Sequence, residues 1–425
     1  MEKKDKKYEV YLQILREELV PAMGCTEPIA ISYCAAKARD ILGEMPHKVL
    51  IEVSGNIIKN VKSVIVPNTN GLKGIEAAAA AGIVAGKSEK ILEVIASVTE
   101  EEKAAMKDFM ETREFIVLPA QTDAILDIEI TLYGEGTSSK VCIRDYHTNI
   151  VRVEKDGQVL FETGVVQAAQ IDMADKSLLN IKDICDFART VDIDDVKPVL
   201  DRQIEYNTRI SQEGLKNNYG ANVGSVLLSA YGNDVHIRAK AVAAAGSDAR
   251  MSGCELPVII NSGSGNQGMT ASLPVIEYAK EWNTSEEELY RALVVSNLTT
   301  IHQKSGIGRL SAFCGAVSAG CGAGAGIAWL DGGGFEGVAH TLVNALAVVS
   351  GIVCDGAKPS CAAKIAASVD AGLLGYHMYK QGQEFKGGEG IISKGVENTI
   401  HNIGRLSQEG MKETDKEIIR IMTDC

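Results

Sequence analysis

Residues 310–330 read LSAFCGAVSAGCGAGAGIAWL, twenty-one residues without a charge, and whether they cross a bilayer or lie buried in a globular core decides the fold class. Length alone would suffice for a membrane span. Eleven of the twenty-one are Gly or Ala, the paired aromatic and basic belts of a span are missing, and the chain has no comparable second stretch. The segment therefore reads as a buried helix packed closely through small residues. The competing reading, a membrane protein packed the same way, rests on length alone.

The rest of the composition agrees. The chain has 425 residues, 45% hydrophobic and 23% charged, with 5% aromatics and 42 glycines. That is globular, long enough for two or three domains, and suited to a core built from small side chains. The net charge of −13 argues against a nucleic-acid or anionic-membrane partner, since both need clustered Lys and Arg. A small-molecule ligand is the expectation, and self-association is left open. Met1 to Lys7 are charged and lead into a helix pattern with no export signal, so the ten cysteines are expected as free thiols in the cytoplasm.

Working outward from 310–330, the periodicity predicts helices over 8–20 and 27–42, the second almost wholly apolar. Strand patterns follow at Val49–Val53, Val61–Val66, Phe115–Leu118 and Asp127–Tyr133, where Ile128, Ile130 and Leu132 alternate with polar residues. Helices over 73–86 and 100–112 interrupt them, the latter opened by a Thr99/Glu102 capping box. Asp156-Gly157 marks a hairpin between Ile150–Val153 and Val159–Phe161. Beyond about 170 the patterns are helical, with a second box at Ser285/Glu288. The fold class is α+β: a mainly helical catalytic domain, 1–45 and 170–425, with an α+β domain inserted at 46–169.

Chemistry is expected from the cysteines. Cys314 and Cys321 are seven apart, as are Cys354 and Cys361, two helical turns in each case. There is no Cys-x2-Cys knuckle or ferredoxin run, so the spacing suits metal binding and plain burial alike. Cys25 sits in Pro21-Ala22-Met23-Gly24-Cys25-Thr26-Glu27-Pro28, ahead of a helix for which Thr26 is a suitable N-cap and Pro28 a first-turn residue. At a helix start its thiol is expected to acidify and act as base or nucleophile; the alternative is a packed thiol. Cys34, Cys142, Cys185 and Cys254 lie in apolar stretches and are expected in the core. Cys425, at the end of the tail, could reach a metal.

Residues 263–268, Gly-Ser-Gly-Asn-Gln-Gly, spell a dinucleotide-binding pattern but lack the surrounding strand–helix–strand context and the later acidic residue. The loop is expected either to bind a substrate carboxylate, with Ser262, Ser264, Asn266 and Gln267 as donors, or to be a plain tight turn. Asn56 and Lys358 are further substrate-binding candidates, and Lys358 is equally readable as a solvated lysine. His302 reads as structural. No nucleophile elbow, His-Glu-x-x-His helix or P-loop lysine occurs.

Four stretches, Met23–Pro28, Ser262–Met269, Leu310–Gly315 and Ile352–Lys358, together resemble the L-cysteine desulfidase family, relatives of the iron–sulfur L-serine dehydratase catalytic chain. The likeness runs over essentially the whole chain. It implies an oxygen-sensitive [4Fe-4S] cluster on Cys314, Cys354 and Cys361 with one iron open, no pyridoxal phosphate, and Cys25 as proton acceptor. Cys321 has no clear counterpart in the family and is either structural or an alternative ligand. The implied activity is that of a carbon–sulfur lyase in cysteine catabolism, converting L-cysteine to pyruvate, ammonia and sulfide by β-elimination. The alternatives are the same elimination on L-serine, and a non-catalytic protein with a four-cysteine metal site.

Overall fold

In the computed structural model, which describes residues 1–122, 124–163, 174–308 and 311–423, the alternating strand residues build one face of a sheet. The chain opens with α1 (Lys6–Glu18), β1 (Pro21–Met23) and α2 (Thr26–Leu42). The sheet region comprises β2 (Lys48–Val53), α3 (Gly55–Val61), α4 (Gly74–Ala85), α5 (Glu100–Thr112), β3 (Glu114–Pro119), β4 (Asp127–Tyr133), β5 (Ser138–Arg144), β6 (Ile150–Lys155) and β7 (Gln158–Glu162). Then come α6 (Ile181–Thr190), α7 (Ile193–Lys216), α8 (Val223–Tyr231), α9 (Val235–Met251), β8 (Pro257–Ile259) and α10 (Gly265–Trp282). The chain continues through α11 (Glu286–Ile307), α12 (Gly315–Leu330), α13 (Gly334–Val349), α14 (Cys361–Lys380), α15 (Val396–Arg405) and α16 (Lys412–Thr423).

Six strands pair in the order β3-β2-β4-β5-β6-β7, with β2 and β3 parallel and the other neighbours antiparallel. Val49, Ile51 and Val53 of β2 and Ile128, Ile130 and Leu132 of β4 are fully buried on one face, where α2 and α4 share their core. The opposite face is polar, with Glu129 on Lys140 and Arg152 on Glu154. One-sided burial of this kind is why alternation was readable here. The hairpin also forms as the sequence suggests, with Asp156 (φ 53°) and Gly157 (φ 78°) in the left-handed turn it demands. Both capping boxes are present.

One expectation fails. Val61–Val66 is not a strand: Val61 closes α3, and the segment then turns, with a lone bridge from Ile65 to Lys73. Val61, Val64 and Val66 are all buried, so the apolar run reflects burial on every side and not a pleat. Helix α2 packs its body on the sheet core, while residues 8–22 and 179–403 supply the second, helical core. The 169/170 boundary lies outside the described residues.

Gly315–Leu330 of the uncharged stretch form α12, with Ala316–Ala328 buried and packed among α10, α11, α13 and α14. Among the described residues no helix is long and apolar enough to cross a membrane. A Cβ on Gly320 would stand 2.4 Å from the Ser368 carbonyl group, one on Gly324 2.5 Å from the Gly372 carbonyl oxygen, and one on Gly372 2.2 Å from the Gly320 oxygen. Backbone therefore meets backbone along the α12/α14 contact, and only glycine fits there.

Candidate active site

Four helices begin at one place. The starts of α2, α10, α12 and α14 border a cavity of about 110 Å³ lined by Cys25, Cys314, Cys354 and Cys361, with Ser262, Ser264, Asn266 and Gln267 among the other lining residues. Helix starts carry unpaired N–H groups and partial positive charge, so their convergence favours anionic contents.

Local backbone chemistry sets each thiol. Cys314 is the N-cap of α12, and its N–H donates to Ile352 O at 3.1 Å; the Cys354 N–H donates to Ala312 O at 2.6 Å. This two-rung bridge, centred on Phe313 and Val353, fixes Cys314 beside Cys354. Cys361 is the first residue of α14. Burial, and next the neighbouring Cys354, push the Cys314 thiol up to about 12; Cys361 is also raised, chiefly by burial. Cys321 lies outside the cavity, fully buried within α12. Cys34, Cys142, Cys185 and Cys254 are buried in the two cores or their margins, and Cys425 lies outside the described residues.

Among the described residues no three His, Cys, Asp or Glu side chains gather tightly enough for a single metal ion. A cluster makes a different demand, because each thiolate binds a separate iron and the thiols must surround a volume. Three thiols from two helix starts and one bridged loop, around a cavity positive at its helix ends, fit that donor set.

Cys25 corrects the sequence reading in detail. It is itself the N-cap of α2, while Thr26 opens the helix and its hydroxyl donates to Gly263 O at 3.0 Å. Gly24 before it has φ 61°, and a Cβ there would meet Pro67 at 2.4 Å, so the turn requires glycine. Cys25 is 1% exposed with Met251 Sδ 3.9 Å from its sulfur. The expected acidification does not occur: burial pushes its thiol up to about 12, outweighing the opposing pull of Arg250.

Two substrate candidates are not brought to the cavity. Asn56 lies in the first turn of α3, outside the lining. Lys358 turns back on its own loop, ion-paired with Asp355 and donating to Gly356 O at 3.0 Å. Sequence reasoning also missed Glu27, Asn60, His147, Arg250 and Lys304, all of which line the cavity. His147 comes from the loop after β5, its Nε2 4.0 Å from Glu27 Oε1, and Asn60 donates to the same oxygen at 3.3 Å. Such residues arrive singly from distant segments, and apart from Glu27 beside Cys25 no motif points to them. His302 pairs with Glu397 at 2.7 Å and borders a groove of about 1070 Å³ that shares Ser262 and Lys304 with the cavity.

Comparison with known proteins shows the family. The chain is 66% identical over 422 residues to a UPF0597 protein of Desulfitobacterium hafniense, covering 99% of this chain and 98% of the relative. It is 54% identical to a UPF0597 protein of Lachnoclostridium phytofermentans, covering 98% and 99%, and 49% identical to one of Treponema denticola, covering 98% of each. Residues 89–420 match the family model described as the serine dehydratase alpha chain, and the chain belongs to that family.

Proposed function

We propose that the protein is a β-eliminating lyase dependent on a [4Fe-4S] cluster, acting on L-cysteine in the cytoplasm. The observation that carries this reading is the meeting of Cys25, Cys314, Cys354 and Cys361 with the 262–267 loop on one cavity. Cys314, Cys354 and Cys361 would hold the cluster, which when bound supplies a Lewis-acidic iron at the leaving group. The nine described cysteines, all free thiols, suit a reducing compartment.

The chain's own residues supply the remaining steps. The first-turn N–H groups of α10, with Ser264 and Asn266, orient the amino acid so that its Cα–H faces Cys25. The proton passes from Cα to Sγ of Cys25 once that thiol has ionised, and the bond to the β-substituent then breaks. Ionisation is opposed by burial and favoured by Arg250, and a helix start such as that of α2 favours it further. The small cavity, closed over Cys25, keeps water from protonating the carbanion.

The same elimination on L-serine is the second reading, favoured by the description of the matching family model. The four-cysteine reading loses its fourth thiol, because Cys321 is not in the cavity. Anaerobically prepared protein assayed on both amino acids, with iron measured on the same sample, decides between them. Sulfide and pyruvate from L-cysteine, at a higher kcat/KM than pyruvate from L-serine, is expected; no product from either by iron-loaded protein would overturn the reading.

A further inference from the structure

Arg250 lines the cavity with a charge that no carboxylate among the described residues answers. It is the penultimate residue of α9 and is 4% exposed. Its Nε donates to Gly24 O at 2.9 Å and its Nη1 to Asn266 Oδ1 at 3.1 Å. A guanidinium has five N–H donors, so three have no acceptor among the described residues, and no Asp or Glu among those residues forms an ion pair with it. Buried arginines are ordinarily paired, because an uncompensated buried charge is strongly destabilising.

The surroundings are shaped to hold this side chain still. A Cβ on Gly265 would stand 2.5 Å from Arg250 Nε and 2.5 Å from Val258 Cγ2, so glycine alone lets the first turn of α10 lie against the guanidinium. The two hydrogen bonds tie it to the Cys25 turn on one side and to the glycine-rich loop on the other. Arg250 and the first turn of α10, through Asn266 and Gln267, line the same cavity as Cys25.

We propose that Arg250, backed by the start of α10, is the binding group for the α-carboxylate of the substrate. The inference rests on the lyase reading for the identity of the substrate, and on the buried unpaired guanidinium for the site. It gives the carboxylate a buried charged partner, in addition to the 262–268 loop and in place of Asn56 and Lys358, which do not line the cavity. Two parallel N–H···O bonds from a guanidinium fix a carboxylate in plane as well as in place. Negative charge also grows on the carboxylate as the Cα proton leaves, so the same group stabilises the transition state. The site would select amino acids over the corresponding amides and amines.

The test compares L-alanine, which has the amine and carboxylate but no leaving group, with L-alaninamide, titrated calorimetrically into anaerobic, iron-loaded protein. The unsubstituted protein should prefer L-alanine by at least ~30-fold, Arg250→Gln should abolish the preference by weakening L-alanine alone, and Arg250→Lys should restore part of it. Iron content and melting temperature should stay near those of the unsubstituted protein. Equal or absent binding of the two probes to the unsubstituted protein overturns the inference without reliance on any variant. So does an Arg250→Gln protein that keeps its L-alanine affinity, or one that loses iron. Discrimination without turnover of L-cysteine or L-serine would retain the carboxylate site and refute the lyase reading; turnover without discrimination would do the reverse.

Discussion

The starts of α12 and α14 and the interiors of the same two helices are opposites. At those starts, Cys314 and Cys361 border a cavity. About two to three turns further on, Gly320 and Gly324 lie against Ser368 and Gly372 with no room for a methyl group. The close seam and the open end are one construction, because the backbone approach deep in the bundle sets how far apart the helix starts stand. A cysteine's role here follows from which of the two regions holds it. Helix α9 repeats the contrast in one turn: Arg250 lines the cavity, whereas Asp248 is fully buried and accepts from Gly224 N at 3.2 Å.

Substitutions at the open end should be the most damaging to activity. Cys354→Ser is expected to remove iron and lower kcat/KM by ~10⁴-fold or more while leaving the melting temperature within a few degrees, since Cys354 is only half-buried. Full iron content in that variant would break the comparison. Cys25→Ser should reduce kcat by ~10³-fold with iron retained, separating proton transfer from cluster binding; loss of iron would move Cys25 among the ligands.

At the seam the readout changes from chemistry to stability. Gly324→Val should cost about 3 kcal/mol by overpacking, seen as a lowered denaturant midpoint, and should loosen iron as a secondary effect. An unchanged midpoint would mean that the seam does not set the spacing. Asp248 sharpens the α9 contrast through pH. Burial holds its carboxyl up at about 6, above its unfolded value, so its ionised form destabilises the fold above that pH. Stability should therefore rise by up to about 3 kcal/mol as pH falls from 7 towards 4, and Asp248→Asn should flatten that slope. Cys321→Ala is the smallest change, about 1–2 kcal/mol for a lost buried thiol, with iron and kcat intact.

Much of this was legible in the sequence wherever one residue type at one position carries a single physical consequence. The hairpin at Asp156-Gly157, both capping boxes and the alternation in β4 are local, and they formed as read. Val61–Val66 misled because complete burial erases the difference between a pleat and a packed turn. Position at a helix start proved more telling than spacing for the thiols: Cys314 and Cys321 share a seven-residue interval, yet one borders the cavity and the other is sealed in the bundle. The same helix start misled on Cys25, where desolvation, invisible in sequence, raises the thiol despite the opposing pull of Arg250. Arg250 and His147 were missed because their meaning comes from tertiary neighbours contributed by segments about 100 to 230 residues away in the chain.

Helix α2 lends its first turn to the cavity and its body to the sheet core. Occupancy of the cavity should thus be felt well beyond it. A ligand that holds the start of α2 adds its binding free energy to every opening that unseats the helix, so amide hydrogen exchange should slow together along α2 and in β4 and β5, against which the helix packs. The edge strand β7, whose side chains are all exposed, should keep its own exchange rate and serve as the internal reference.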